Sequence, residues 1–177
     1  MDELMQSLSS IINVSPALCE EFMKRGKAQS IKKGTIVHRA SRICDKSHFI
    51  ISGILRIYSY RDGKEVTEDF NGPGEWSNAN RSFMFQQLDI YYVDTITDVE
   101  VITLEYNDFM YIINNYIELN AYVRVLYDYI FGRLLDRLTM LRFSTAKDKY
   151  DIFCKHYSPL MNDIPLYHIC LLYTSRR

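Results

Sequence analysis

The sequence predicts an α+β fold, a jelly-roll β-sandwich with short N-terminal helices and a long C-terminal helix. Between residues 28 and 105, short runs of β-branched and aromatic residues alternate with turn signals, which is typical of antiparallel sandwiches rather than parallel sheets. From residue 117 to 141, apolar residues return every three or four positions, which is the period of a long helix. Hydrophobic residues make up 47% of the 177-residue chain and charged residues 24%, so a core can be buried.

Two short helices are expected before the strands, over residues 2–12 and 15–25. Apolar side chains recur in both at helical spacing. Ser15 followed by Pro16 is a typical start for the second helix, because serine can cap the first turn and proline is tolerated at its first position. Gly26 is expected to end that helix.

The β region is expected to consist of short strands joined by tight turns. Asp62 and Gly63 are a strong turn signal, since both adopt positive φ readily and the flanking runs can then pair as a hairpin. The loop at 71–74 contains proline and glycine, which exclude a regular ladder there, and a short helix is expected at 78–87. Besides a short run ending near Ile31, the expected strands are residues 35–38, 48–53, 54–60, 65–70, 91–97 and 99–104.

Helices are expected again after residue 105. Residues 106–108 are interpreted as a capping sequence for a helix at about 107–115, and the long helix follows at 117–141. Its near-heptad stripe suits pairing with a second copy as well as packing on its own domain, and the pattern leaves both open. A helix at 144–157 and the start of one more at 164–169 complete the chain. The stripe consists of Leu119, Val123, Leu126, Ile130, Leu134, Leu138 and Leu141.

Charge and targeting signals restrict the function classes. The formal net charge of −1 does not indicate a general polyanion binder, although basic residues are enriched from Arg142 onward. The acidic N-terminus lacks the long apolar run of a signal peptide. Because no window reaches the ~18 apolar residues of a membrane span, we expect a cytoplasmic protein without a membrane partner.

The order of these elements resembles that of the Crp/Fnr family of bacterial transcription regulators, over about residues 10–170. The motifs that carry the resemblance are FIISGILRIY at 49–58, the hairpin residues at 62–65, and Phe70 with Gly74 and Glu75. The resemblance implies a cyclic nucleotide-binding-like sensor domain at 1–115, a dimerisation helix at 116–142, and the start of a truncated winged helix-turn-helix DNA-binding domain at 143–177.

The resemblance also implies partners. It implies a homodimer, DNA bound by the full-length parent, and a small-molecule effector held in the roll. Residues 163–169 resemble the segment that opens the helix-turn-helix, but residues 170–177 do not continue as a turn and a recognition helix. Without that helix, this chain has no element for direct base readout. The implied dimer contacts are Leu119, Val123, Leu126, Ile130, Leu134 and Leu138.

The resemblance places a ligand site after the hairpin, with Gly74, Glu75, Arg81 and Ser82 as candidates. Backbone N–H groups and an arginine suit a phosphate, and a carboxylate suits a ribose hydroxyl. The family's arginine begins the strand that follows, where this chain has Asp89, and a carboxylate there would repel phosphate. We therefore expect cyclic nucleotide binding to be weak or absent, and no other cofactor.

Two alternatives remain open beside the regulator. One is a stand-alone dimeric jelly roll that binds a ligand or a protein. The other is a cupin-like metalloenzyme, which is disfavoured because the sequence has no H-x-H pair. His38 and His48 are interpreted as ordinary strand histidines, and the four cysteines lack zinc-ligand spacing. We therefore expect neither a metal site nor an enzyme.

An acidic cluster on the predicted hairpin is a further candidate for acid–base chemistry. It consists of Glu65, Glu68 and Asp69. Its place on a hairpin predicts a solvated strand face, and no buried partner that would shift a pKa is evident.

Overall fold

The structure, a computed structural model, describes the backbone of residues 1–143 and 146–173. Side chains are described within those ranges except at residues 140–143, 146, 149, 152, 155 and 170–173. The expectations about Leu141, the basic residues Arg142, Lys149 and Lys155, and the side chains of the tail at 170–177 therefore lie outside the described residues.

The described backbone confirms the predicted fold class. The helices are α1 (Asp2–Ser9), α2 (Pro16–Arg25), α3 (Asn80–Phe85), α4 (Tyr106–Asn115), α5 (Ile117–Phe143), α6 (Ala146–Tyr157) and α7 (Leu166–Tyr173), with a 3-10 turn at Ser158–Leu160. The strands are β1 (Lys27–Ile31), β2 (Ile36–His38), β3 (Lys46–Ser52), β4 (Leu55–Arg61), β5 (Lys64–Asn71), β6 (Trp76–Ser77), β7 (Tyr91–Thr95) and β8 (Val99–Glu105). None of the helices described is long and apolar enough to cross a membrane.

The strands form two antiparallel sheets of four. Their orders are β1-β8-β3-β6 and β2-β7-β4-β5, so strands that follow one another in sequence alternate between sheets except for the β4–β5 hairpin, as in a jelly roll. The β4–β5 hairpin turns at Asp62 and Gly63, which have φ of 51° and 74°. Both turn residues therefore have the positive φ of a two-residue type I′ connection, which confirms the sequence prediction.

Successive residues of β3 contribute to different parts of the core. Phe49 packs with α1, α2, α4 and α5, whereas Ile50 points to the other face and packs with Leu55 and Val93 of the second sheet. A third cluster joins Phe70 of β5 to residues of α6 and the 3-10 turn, including Tyr157 and Leu160. The C-terminal helices are thus packed against the roll by apolar burial.

The N-terminal half of α5 belongs to the core of its own protomer. Leu119 is 2% exposed, and Val123 and Leu126 are partly buried against the same cluster. The C-terminal half differs, since Leu134 and Leu138 are 49% and 44% exposed. The stripe is therefore packed on its own domain in the N-terminal half of α5 and exposed to water in the C-terminal half.

Two local expectations have different outcomes. Ser15 caps α2, because its Oγ accepts a hydrogen bond from Leu18 N at 3.2 Å. The predicted cap of α4 was wrong: Glu105 is its N-cap residue and provides no side-chain hydrogen bond. Asp108 instead forms an ion pair with Arg25 of α2, with Nη1 and Oδ1 2.5 Å apart. The Asp108 carboxylate therefore pairs with Arg25, which is distant in sequence, and does not cap α4.

The glycine between β3 and β4 should be hard to replace. Gly53 has φ of +85°, and a Cβ there would lie 2.2 Å from Asp98 O. We expect Gly53→Ala to lower the free energy of unfolding by about 3 kcal/mol, because strain and a backbone clash add. Gly34→Ala is the matched control, since Gly34 has φ of +78° with open space around it. Gly34→Ala should lower the free energy of unfolding by about 1 kcal/mol. Urea titration of both variants measures the two losses. Equal losses would contradict the close approach at Gly53.

Candidate functional site

A cavity of about 1050 Å³ lies between the roll, α3 and α5. This volume is at the upper end of the range of small-molecule sites. One part of its wall is apolar, with Ile57, Phe83, Met84, Leu126 and Ile130 among the lining residues. Ion pairs group five charged side chains of the lining, and we call this group the polar end: Glu68, Asp69, Glu75, Arg133 and Arg137.

Glu75, a candidate for ligand binding, already has three protein donors. Its Oε1 accepts hydrogen bonds from Arg133 Nη1 at 3.1 Å and from Tyr129 Oη at 3.3 Å. Its Oε2 accepts one from Gly72 N at 2.8 Å. Burial raises the pKa of Glu75, and the positive charge of Arg133 opposes that rise. The carboxylate is therefore satisfied without any ligand.

Arg133 projects from α5 and is the centre of this network. Its side chain is 13% exposed and forms ion pairs with Glu75 and with Asp69 of β5. Its Nη2 also donates to Tyr157 Oη at 2.8 Å, and Tyr157 donates to Asp69 at 2.5 Å. Burial acts to lower the pKa of Arg133, but Asp69, Tyr157 and Glu75 hold it above its usual range. One guanidinium thus connects α5, the hairpin, the loop before β6, and α6.

Arg137, one turn further along α5, makes a second link to the hairpin. Its Nη2 lies 2.9 Å from Glu68 Oε2, and the guanidinium also donates to the carbonyls of Glu68 and Thr67. The expectation that Glu68 and Asp69 lie on a solvated strand face was therefore wrong. The positions of Arg133 and Arg137, four apart on one helix face, were the available sequence signal.

The other candidate ligand residues are placed differently. Gly74 is exposed with φ of +85°, and its N–H donates to Ile50 O at 2.9 Å. The buried Ser82 donates from Oγ to Gln87 O at 2.6 Å and accepts from Cys44 N at 2.9 Å. Arg81 is exposed at the cavity and makes no ion pair with any residue that the structure describes. Ser82 thus stabilises the turn after α3, whereas Arg81 is exposed to water and forms no ion pair with the described residues.

Asp89, expected to oppose a phosphate, organises the turn between α3 and β7. Its Oδ2 accepts from Ser82 N at 3.2 Å and its Oδ1 from Tyr91 N at 2.9 Å. The carboxylate stabilises the backbone where the family's arginine would begin the strand. Its charge nevertheless stays next to the candidate site.

The two strand histidines lie in different sheets. His48 Nδ1 is 2.9 Å from Thr103 Oγ1, and burial lowers the pKa of His48 to about 4. His38 lies in β2 of the opposite sheet, and burial lowers its pKa as well. Within the described part of the chain, no group of three or more His, Cys, Asp or Glu residues could hold a metal ion.

A second charged cluster, which sequence reasoning missed, joins α7 to the roll. Arg56 of β4 has a side chain only 4% exposed and pairs with Asp94 at 2.6 Å and with Glu65 at 2.9 Å. Its Nη1 also lies 2.7 Å from His168 Nδ1. Because a guanidinium can only donate, His168 must accept through Nδ1 and carry its proton on Nε2. These four residues come from distant parts of the chain, so no local motif announces them.

The comparisons with known proteins agree with this geometry. The model of the family described as "Cyclic nucleotide-binding domain" matches residues 28–116, half of the chain. The chain therefore belongs to the cyclic nucleotide-binding domain family. A comparison with curated protein sequences finds no significant match.

Solved structures relate the chain to the Crp/Fnr fold. A protein from Eubacterium rectale, assigned to the Crp/Fnr family of transcriptional regulators, has a TM-score of 0.73 at 16% identity over 92% of this chain and 78% of its own. The catabolite activator protein of Thermus thermophilus has a TM-score of 0.59 at 16% identity over 73% and 62%. The c-di-GMP-responsive regulator CLP of Xanthomonas campestris has a TM-score of 0.61 at 18% identity, over 76% of this chain and 68% of its own. At these identities the likeness shows the fold, that of a Crp/Fnr sensor region.

The contact between His168 and Arg56 predicts pH-dependent docking of α7. The groups that face His168 are Arg56, Asp94 and Glu65, with Lys33 further away, and burial followed by Arg56 lowers the pKa of His168 below 6.5. Protonation would turn Nδ1 into a donor facing a donor. Docking is therefore complete above about pH 6.5 and weakens as the pH falls below that value.

Hydrogen exchange of the α7 amides checks this prediction. After correction for intrinsic rates, we expect their protection to fall between pH 7.5 and 5.5, by up to about tenfold. His168→Gln is the control, because its amide oxygen can accept from Arg56 without titrating, and it should remove most of the dependence. Equal protection of α7 at both pH values in the parent would contradict the role of His168.

Proposed function

We propose that this chain is the sensor and dimerisation part of a bacterial transcription regulator of the Crp/Fnr type. An effector in the cavity beneath α5 controls DNA binding by the helix-turn-helix domain of the full-length parent. The observation that carries this proposal is the placement of α5. The helix lines the cavity with one face, and large apolar side chains such as Phe131 and Leu138 are exposed on another.

The exposed half of α5 supports a dimer. Phe131, Leu134 and Leu138 are 60%, 49% and 44% exposed, and a second helix would remove such a stripe from water. Ile130 lies between this surface and the cavity. Leu119 is buried in its own protomer, so we leave it out of the proposed seam, and Val123 and Leu126 contribute only their exposed parts.

The C-terminal segment supports a connection to DNA binding. We assign residues 143–177 to the beginning of the DNA-binding domain, including α6 and α7. This chain covers 78% of the Eubacterium rectale protein and 62% of the Thermus thermophilus activator, so parts of those chains lie outside the matched region. A longer parent with a recognition helix is consistent with those lengths.

The polar end of the cavity supports an effector other than a cyclic nucleotide. Arg133 and Arg137 are already paired with carboxylates of the chain, and Asp89 adds a negative charge near the loop. The solved relatives show that this fold accommodates different ligands, since one is a protein kinase A regulatory domain with cAMP and another responds to c-di-GMP. We therefore expect this chain to bind cyclic AMP and cyclic GMP weakly or not at all.

The proposal is tested by DNA binding of the full-length parent. A two-fold dimer presents two equal reading heads, so its site should be a pseudo-palindrome with half-sites about one helical turn apart. In an anisotropy titration at physiological salt, we expect the parent to prefer the upstream region of its own gene over a scrambled duplex by at least a hundredfold. Light scattering should show the parent as a dimer.

The control replaces two exposed residues of the proposed seam. Phe131→Asp with Leu138→Asp places charges where the helices would meet, at two side chains outside the cavity lining, and it should yield monomers that lose the sequence preference. Thr139→Asp, on an exposed position about a quarter turn round the same helix from Phe131 and Leu138, should keep both the dimer and the preference. A dimeric parent that binds both duplexes equally would instead favour the stand-alone dimeric module. A parent that is monomeric at micromolar concentration would contradict the proposed seam.

A further inference from the structure

We propose that Arg133 determines which ligand the cavity accepts: by pairing with Glu75 it fills the polar end of the site from within, so that the cavity selects an uncharged, largely apolar small molecule and rejects anions. This inference rests on the proposed function, because it names the ligand class of the same cavity.

Both guanidinium groups at the polar end are already paired with carboxylates of the chain. Arg133 uses Nη1 for Glu75 and Nη2 for Asp69, Tyr157 and the carbonyl of Phe70. Arg137 is paired with Glu68 in the same way. A phosphate or sulfonate at this end would have to displace a carboxylate of the chain, which would then remain buried without its partner.

Three carboxylates, Glu68, Asp69 and Glu75, line the cavity beside the two buried arginines. The remaining arginine of the lining, Arg81, is exposed to water, where an ion pair is screened and contributes little. An entering anion therefore gains little attraction and meets the negative charge of three half-buried carboxylates.

The lining also includes the apolar wall. Phe83 is almost fully buried, and Ile57, Met84, Val123, Leu126 and Ile130 complete a surface without charge. A ligand that covers this wall gains by removing apolar area from water and needs no charged group for it. The wall thus favours an uncharged ligand for the same reason that the polar end rejects an anion.

The test uses two fluorescent probes that differ in one charged group. N-phenyl-1-naphthylamine is uncharged, and 8-anilinonaphthalene-1-sulfonate has the same ring system with a sulfonate added. We expect the unmodified protein to bind the uncharged probe at least tenfold more tightly than the sulfonate. Cyclic AMP at millimolar concentration should not displace it.

Three variants locate the effect. Glu75→Gln removes one of the two carboxylates paired with Arg133 and should raise sulfonate affinity at least fivefold, while affinity for the uncharged probe changes less than twofold. Arg81→Gln, the matched control at the exposed arginine, should change neither. Met84→Trp fills the apolar part of the cavity and should abolish binding of both probes. Circular dichroism checks that each variant is folded. The ratio of the two probe affinities of the unmodified protein tests the inference without any variant.

The outcomes separate the inference from the proposed function. Equal or tighter binding of the sulfonate by the unmodified protein would overturn the selectivity assigned to Arg133 and leave a ligand-binding cavity in place. A Glu75→Gln variant that folds and keeps the affinity ratio of the unmodified protein would also overturn it. If neither probe binds, or if Met84→Trp leaves binding unchanged, the cavity is not the effector site and both proposals fail.

Discussion

The ion pairs of the Arg133 guanidinium are the interactions on which the rest of the site depends. The guanidinium pairs with Asp69 of the hairpin and Glu75 of the loop before β6, and it donates to Tyr157 of α6. A charge removed from water needs partners, and losing one of them leaves the others uncompensated at a cost of several kcal/mol. The position of α5 over the roll and the chemistry of the cavity therefore depend on the same few atoms.

This arrangement links the cavity to the C-terminal helices. Glu75 lies at the polar end of the cavity and Tyr157 lies in α6, and both contact Arg133 directly. Tyr157 also packs on Phe70 with ring centroids 5.7 Å apart, so apolar and charged contacts coincide. A ligand that shifts α5 would disturb both sets of contacts. The geometry thus gives the proposed regulator a physical route from effector to DNA-binding domain.

Local features of the fold could be predicted from the sequence, because each depends on neighbouring residues. The Asp62–Gly63 turn and the Ser15 cap are examples, since both are determined within a few positions. The pairing of Arg133 with Asp69 could not be predicted in this way, because 64 positions separate them and only the fold brings them together. The same limit explains the missed contact between Arg56 and His168, which are 112 positions apart.

The apolar stripe of α5 was correct as a pattern. Such a pattern does not indicate which surface the stripe packs against, and Leu119 packs in the core of its own chain.

The central claim is that Arg133 and Glu75 neutralise each other inside the protein. A double-mutant cycle with Arg133→Met and Glu75→Gln, measured as the free energy of unfolding in urea, tests it most directly. We expect each single variant to be destabilised and the double variant to recover part of the loss, with a coupling energy of about 2 kcal/mol. A coupling energy below about 0.5 kcal/mol would mean that the two side chains act independently, and it would contradict this account of the site.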